Sequence, residues 1–322
     1  MPNHVENYIS LKGDERQITA MLEAIKSDEY GIGTIDFNKI IPMPESLNIE
    51  AGSRTDKGLE SYRDFVDVYT LGGTINMDKL GEIPKKSEEI FLSQRTDIKP
   101  DEWELGKTAW QNIQKYGAPT WYDWSIANWG TKWNAYGYDS GRDYSGGDSL
   151  WFQTAWSAPH PILEKLTELY PDITMEHQWA DEDLGVNCGR FSYKGGERIE
   201  EYLPENDVEA LEYAASVWEY DLAELGYVMN KTGSRYIYNE SQDFEKIELF
   251  GKPTLFTNDR LTDADIPEDL YCYHLRHSDD GDRFCSVEPR VAVNHGGSIV
   301  MKEPLDFGKD GYISFSEDTE PN

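Results

Sequence analysis

Three places in this 322-residue chain hold residues of the right type and spacing to do chemistry. Trp129 and Trp133 flank Lys132, a cation between two π-faces that can stack a base or nucleotide. Asp181, Glu182 and Asp183 follow one another, and neighbouring carboxylates can bind a hard cation or hold one proton for acid–base work. His177 stands just before them as a possible general base. Cys272, His274, His277, Cys285 and His295 form a thiol–imidazole cluster.

Each has a plainer alternative. Eight of the ten tryptophans fall between Trp103 and Trp156, and rings that each bury about 150–250 Å² can build a core between a sheet and inserted helices. Their clustering there favours the core. Asp and Gly are what a tight turn requires, and Gly185 sits one position too early for a calcium loop. His177 shares a strand face with Ile173, Met175 and Trp179, which makes it a core residue. The Cys/His spacings match no zinc ribbon or finger, and Asn294-His295-Gly-Gly reads as a hairpin turn. Gly106-Lys107-Thr108 has Asp101 where a phosphate-binding loop needs glycine. No nucleophile–base pair can be argued from spacing. The expectation is therefore a protein without metal or cofactor, non-catalytic rather than an enzyme.

The elements that must carry these residues are legible in the periodicity. Val5, Asn7, Ile9 and Leu11 alternate with His4, Glu6, Tyr8 and Ser10, predicting a strand. Asp14 and Gln17 form a capping signature for a helix over 15–27 with Ile18, Met21, Leu22 and Ile25 on its apolar face. A second strand is expected over Thr34–Ile41, giving half of a ferredoxin-like βαββαβ unit. Residues 45–120 read as an insertion of helices at 56–69, 86–94 and 100–117. An aromatic segment, 121–136, and a Gly/Ser/Asp-rich loop, 137–149, lead to a strand at 150–156. A helix from Pro161 to Pro171 and strands at 173–180 and 186–193, then a short one after Lys194-Gly-Gly-Glu197, complete the sheet. The predicted class is α+β, a ferredoxin-like sheet with a helical insertion over 1–203. An acidic helical connector (204–245), a small β-rich domain (246–307) and a polar tail (308–322) follow.

Charge narrows the functions. With 61 acids and 30 Lys/Arg, the net charge is −31, so no basic footprint for DNA or RNA is present and anionic membranes are disfavoured. No apolar run approaches a membrane span, no secretory signal opens the chain, and three cysteines are too few and odd for a disulfide framework. The cytoplasm is the expected compartment. The charge is concentrated: residues 205–245 hold ten acids and two bases. Glu205, Asp207, Glu209, Glu212, Glu219, Asp221 and Glu224 are the candidate acidic interaction face, on a helix expected over 207–225.

Four stretches taken in order carry a resemblance: PNHVENYISLKG at the start, NWGTKWNAY at 128–136, FQTAWSAPHPIL at 152–163 and WADEDLGVNCG at 179–189. Together they resemble the YubB-type ferredoxin-like family of plasmids, conjugative elements and phages, over about residues 1–200. KIELFGKPTLFTNDRL, DLYCYHLRHSDDGD and VEPRVAVNHGGSIVMKEPLDF, within 246–307, are similar to a domain associated with large polyvalent proteins of such elements. The resemblance implies the fold and carriage by mobile DNA; it implies no biochemical activity.

Two functions of different class follow. One is a mobile-element accessory protein that binds a host or element-encoded protein with a basic surface, including as a DNA-like inhibitor of host defence. At one charge per about 1.7 Å of duplex axis, 31 charges correspond to roughly 50 Å of DNA, about the diameter of a globule this size. Its plain competitor is charge that serves solubility alone. The other is a nucleotide- or nucleic-acid-directed enzyme or ligand-binding protein using Trp129, Lys132, Trp133, Asp181 and Asp183.

Overall fold

The computed structural model describes residues 2–70, 85–138, 147–230 and 232–239, together with short strands between 248 and 302. Most of the loop expected at 137–149 and all of the tail at 308–322 lie outside the described residues. The chain divides into two compact units, Met1–Asp183 with Asn187–Leu203, and Leu184–Val186 with Pro204–Asn322.

In the first unit, β1 (His4–Lys12) buries Val5, Asn7, Ile9 and Leu11 as expected, and Glu6 on the opposite face is buried as well. Helix α1 (Glu15–Ile25) starts at Asp14, whose carboxylate accepts the backbone N–H groups of Arg16 and Gln17 at 3.1 and 3.2 Å. The strand expected at Thr34–Ile41 does not form. Side chains satisfy its backbone instead of a neighbouring strand: Tyr138 Oη accepts from Ile35 N–H and donates to Ile35 C=O, and Asn134 Oδ1 accepts from Phe37 N–H. Asp36 then caps a single 3₁₀ turn, Phe37–Lys39, and Ile35, Phe37 and Ile40 enter the core.

Helices α2 (Ser53–Thr70), α3 (Lys85–Gln94) and α4 (Pro100–Tyr116) occupy the region expected to be helical. Proline opens α4 and Gly117, at φ 77°, closes it. Their core of Leu59, Tyr62, Phe65, Val66, Trp103 and Trp110 is separate from that of the sheet. Helices α2 and α4 touch backbone to backbone at Gly58 and Gly106. A Cβ on Gly106 would lie 2.0 Å from Gly58 C, and one on Gly58 would lie 1.8 Å from Glu102 O.

After α5 (Trp121–Trp129) come β2 (Ser149–Ala155), α6 (His160–Leu169), β3 (Thr174–Asp181), β4 (Cys188–Lys194) and β5 (Glu197–Tyr202). The sheet order is β2-β1-β3-β4-β5, and every pairing in it is antiparallel. β2 and β3 therefore run parallel to each other with β1 threaded between them. The place beside β3 is taken by β4, arriving later in the chain. Helices α1 and α6 contribute Ile18, Met21, Leu22, Ile162, Leu163 and Leu166 to a core on one face of the sheet. The other face carries the cross-strand row Trp151, Tyr8, Gln178, Arg190, Tyr202.

In the second unit, α7 (Asp207–Trp218) is capped by Asn206, whose side chain accepts from Glu209 N–H at 3.0 Å. The helix does not reach residue 225: Glu219 turns left-handed at φ 58°, and Tyr220 N–H bonds back to Ala215 C=O at 2.9 Å. Strands β6 (Tyr227–Met229) and β7 (Tyr236–Tyr238) form a small hairpin. A further sheet is built from β8 (Glu248–Leu249), β9 (Lys252–Thr257), β10 (Tyr271–His274), β11 (Arg290–His295) and β12 (Ser298–Lys302), in the order β12-β11-β10-β9-β8.

The α2–α4 contact leaves no room for a methyl group against main chain on either side. Gly106→Ala is expected to destabilise the chain by about 2–3 kcal/mol, measured by denaturant unfolding. An unchanged midpoint would show that the two helices do not meet at this distance.

Candidate functional site

Lys132 is placed by a short run of specific contacts. Gly130, at φ 79°, ends α5 against Pro161, where a Cβ would lie 2.7 Å from the proline Cδ. Thr131 then docks on the end of β2: its Oγ1 donates to Ala155 C=O at 2.8 Å and accepts Ala155 N–H at 3.1 Å. Ser125 Oγ holds Lys132 C=O at 2.8 Å, and Tyr136 pairs with Gln153 through two backbone bonds of 3.0 and 2.8 Å. Residues 131–136 thus run along the edge of β2 as a rigid strip.

On that strip the Lys132 ammonium stands over three rings. Its Nζ lies 4.5 Å from the centroid of Trp156, 4.6 Å from Trp133 and 5.7 Å from Tyr122, all within cation–π range. Tyr122 and Trp156 meet edge-on at 90°. Trp133 and Trp156 are 38% and 43% exposed, so the rings also face solvent. Lys132 has no carboxylate ion pair among the described residues, where the other basic side chains near acids make several.

Trp156 is in an unusual conformation. Its φ of 70° puts a bulky residue in the left-handed region, at a cost of about 1–2 kcal/mol. Two bonds hold it there: its N–H donates to Asn3 C=O at 2.9 Å, and its C=O accepts from Asn187 Nδ2 at 3.0 Å. Both asparagine side chains also donate to Asp181. Asn3 Nδ2 reaches Oδ1 at 3.0 Å and Asn187 Nδ2 reaches Oδ2 at 3.2 Å. Asp181 Oδ1 further accepts Asp183 N–H at 2.9 Å. The Asp181 carboxylate, only 5% exposed, is the hub of this clamp.

The sequence-predicted residues therefore divide. Lys132 and Trp133 share one surface. Trp129 does not join them: it is 4% exposed, packs edge-on against Phe37 and Trp124, and spends its indole N–H on Ile41 C=O. Asp181 makes no ion pair with Lys132; Asn3 and Asn187 link it to Trp156. Asp183 is exposed, and it is its backbone that serves the turn. Tyr122, Trp156, Asn3 and Asn187 were not singled out by spacing. Each of the four stretches that carry the family resemblance supplies part of this cluster: Asn3, Lys132 with Trp133, Trp156, and Asp181 with Asn187. Among the described residues no three His, Cys, Asp or Glu side chains gather as for a metal ion. Cys272 and His274 lie on β10 and His295 ends β11; His277 and Cys285 lie outside the described residues.

The acidic candidates are exposed except Glu209, which is half-buried. Glu209 and Glu212 are three apart on α7 and share a side, while Asp207, two before Glu209, does not. Glu219, Asp221 and Glu224 follow the end of the helix. Several already have local work: Glu209 accepts Glu205 N–H at 2.9 Å, Glu212 accepts Tyr236 Oη–H at 2.9 Å, and Asp221 accepts Ala223 N–H at 2.8 Å.

Sheet, helices and this cluster define an α+β protein containing a ferredoxin-like domain. A family model described as "Ferredoxin-like domain in Api92-like protein" matches residues 129–221, a narrower span than the resemblance over 1–200. A second, for large polyvalent protein associated domain 28, matches residues 240–322. Among solved structures, the chain is similar to a protein api92 from Yersinia pseudotuberculosis at 12% identity and a TM-score of 0.26, over 62% of this chain and 97% of that one. No curated protein matches. No helix among the described residues is long and apolar enough to cross a membrane.

His177 is not a base for the turn carboxylates. It is fully buried and stacked on Trp179 at 5.2 Å. Asn7 Nδ2 donates to Val5 C=O and Thr154 Oγ1, so Asn7 Oδ1 must be the acceptor and His177 Nε2 the donor of their 3.0 Å bond. His177 Nδ1 is left buried with no partner. His160 lies beside it, ring centroids 5.7 Å apart, and shares a 2.7 Å bond with Tyr193 Oη. Burial, with Arg198 nearby, pushes His160 down to about 4, and burial holds His177 well below the usual histidine range. The unfolded chain protonates His160 near pH 6.5 and the folded chain does not until about 4. Stability contributed by neutral His160 is therefore complete above about pH 6.5 and is lost as pH falls toward 4, by up to about 3 kcal/mol. Comparing urea unfolding of the wild type and His160→Gln at pH 7.5 and 4.5 isolates this from the carboxylates. The wild type is expected to lose more stability on acidification, and equal losses would contradict the assignment.

Proposed function

We propose that the first unit is a ligand-binding module, directed at an anion that carries an aromatic ring, the class that contains nucleotides and nucleic-acid ends. One observation carries this reading: Lys132 stands among three rings, two of them open to solvent, with no carboxylate partner among the described residues. Aromatic faces partly stabilise an ammonium but leave its charge unneutralised, so an incoming anion gains a charge-assisted contact without displacing a resident one. The exposed faces of Trp133 and Trp156 stack a ring in the same encounter. The net charge of −31 favours a small ligand with few charges over a long polyanion, because each added phosphate is repelled by the whole molecule. The reading makes no use of a catalytic group: Asp181 is committed to its clamp and His177 to the core.

A second reading is favoured by a different observation. Glu205, Asp207, Glu212, Glu219, Asp221 and Glu224 are all exposed, in a segment where bases are few. They suit a basic protein partner, as expected of an accessory protein. The spread of these acids around and beyond α7 favours a general electrostatic surface over a regular duplex-like array.

The first reading is tested by following tryptophan emission while titrating the full chain with adenosine monophosphate. Saturable quenching is expected, with affinity lowered about tenfold in Lys132→Gln and in Trp133→Ala. Absence of saturable quenching into the millimolar range would contradict it. The second reading instead expects capture of a defined basic protein that weakens steeply as salt rises, and salt-insensitive capture would sink it.

A further inference from the structure

The clamp around Trp156 extends this reading of the Lys132 surface, on which it rests. We infer that Asp181 is a positioning residue: its carboxylate, through Asn3 and Asn187, holds Trp156 in the left-handed conformation that sets its ring beside Lys132, so that the site discriminates for the aromatic ring of a nucleoside monophosphate and not merely for its phosphate. Trp156 would relax to an ordinary backbone conformation if nothing opposed it, since only glycine and, less often, Asn or Asp occupy this region readily. What opposes it is a closed set of bonds. Trp156 N–H is taken by Asn3 C=O at 2.9 Å and Trp156 C=O by Asn187 Nδ2 at 3.0 Å. The same two asparagines are tied to one carboxylate at 3.0 and 3.2 Å, and that carboxylate is shielded from water. Asn187 is itself left-handed at φ 45°, a conformation an asparagine tolerates, so the strain is borne by residues suited to it except at Trp156.

The arrangement assigns distinct tasks. Lys132 supplies charge to the phosphate and does not depend on the clamp, because its backbone is held by Ser125 and its neighbour Thr131 is docked on Ala155. Trp156 supplies a stacking face, and its placement depends on Asp181 and Asn187. Loss of the clamp should remove selectivity for the ring while leaving attraction for phosphate intact. That separation is the signature of positioning, since a general loss of folding would remove both.

The experiment compares the affinities of the full chain for adenosine monophosphate and inorganic phosphate by isothermal titration. Wild type, Asp181→Asn, Asn187→Gly, Trp156→Gly and Lys132→Gln are measured. Asn187→Gly keeps the left-handed backbone and removes only the clamping amide, so it remains informative if Asp181→Asn does not fold. The wild type is expected to bind the nucleotide more tightly than phosphate. Asp181→Asn, Asn187→Gly and Trp156→Gly lose about tenfold in nucleotide affinity with phosphate affinity unchanged, whereas Lys132→Gln weakens both. If Asp181→Asn and Asn187→Gly keep wild-type nucleotide affinity while Trp156→Gly and Lys132→Gln lose it, the positioning role is overturned and the ligand site stands. If the wild type does not bind the nucleotide more tightly than phosphate, the site reading fails with it.

Discussion

The end of the sheet where the site lies depends on one buried carboxylate. Asp181 closes β3 and accepts from three donors, Asn3 ahead of β1 and Asp183 and Asn187 in the turn into β4, and the two asparagines in turn hold Trp156 just past β2. At the clamp the carboxylate is met by two side-chain amides and one backbone N–H. It is a hydrogen-bonded hub in a site of low exposure, where leaving any member unpaired costs about 1–3 kcal/mol. Ends of three strands that would otherwise fray are tied together, and a tryptophan is kept in a conformation it would not choose.

The topology makes this convergence possible. β1 pairs antiparallel with both β2 and β3, so its first residues lie beside the last residues of each: His4 faces Ala155, and Val5 faces Asp181. Segments more than a hundred residues apart in sequence thereby meet at one edge. The inserted helices have a core of their own, joined at Gly58 and Gly106, and the sheet's core is completed by the 34–41 segment. The net negative charge sits uneasily with an anion site only at long range. Over the few ångströms between Lys132 and a bound phosphate the local ammonium prevails, since more distant carboxylates are screened beyond about 8 Å in physiological salt.

Much of the architecture is legible in the sequence, for a physical reason. β1, α1, α6, β3 and β4 are amphipathic with clean periods, and the caps at Asp14, Pro100 and Gly117 mark helix ends with side chains or backbone suited to them. The missed strand at Thr34–Ile41 shows the limit. Its alternating apolar residues are real and three are buried, but its hydrogen bonds go to Tyr138 and Asn134, roughly a hundred residues away, which no local pattern reveals. The overlong helix after Asp207 has a similar cause: a non-glycine residue, Glu219, makes the left-handed stop expected at Gly226. In the site, Lys132 with Trp133 was legible as a cation beside an aromatic ring, and Asp181 as part of a turn. Trp156, Asn3 and Asn187 were not, because their importance lies in a backbone dihedral and in long-range bonds. Trp129 shows the converse, a tryptophan well spaced for the site that belongs to the core.

The central claim is that the Lys132 side chain rests against the indoles of Trp133 and Trp156 and meets a ring-bearing anion there. Proton–carbon NMR of the lysine side chains in the full chain tests it most directly. The ε-methylene protons of Lys132, assigned through Lys132→Gln, should be shifted upfield by the ring currents in the free protein and should move selectively on adding adenosine monophosphate. An ε-methylene signal at the ordinary lysine position, unmoved by the nucleotide, would contradict the account.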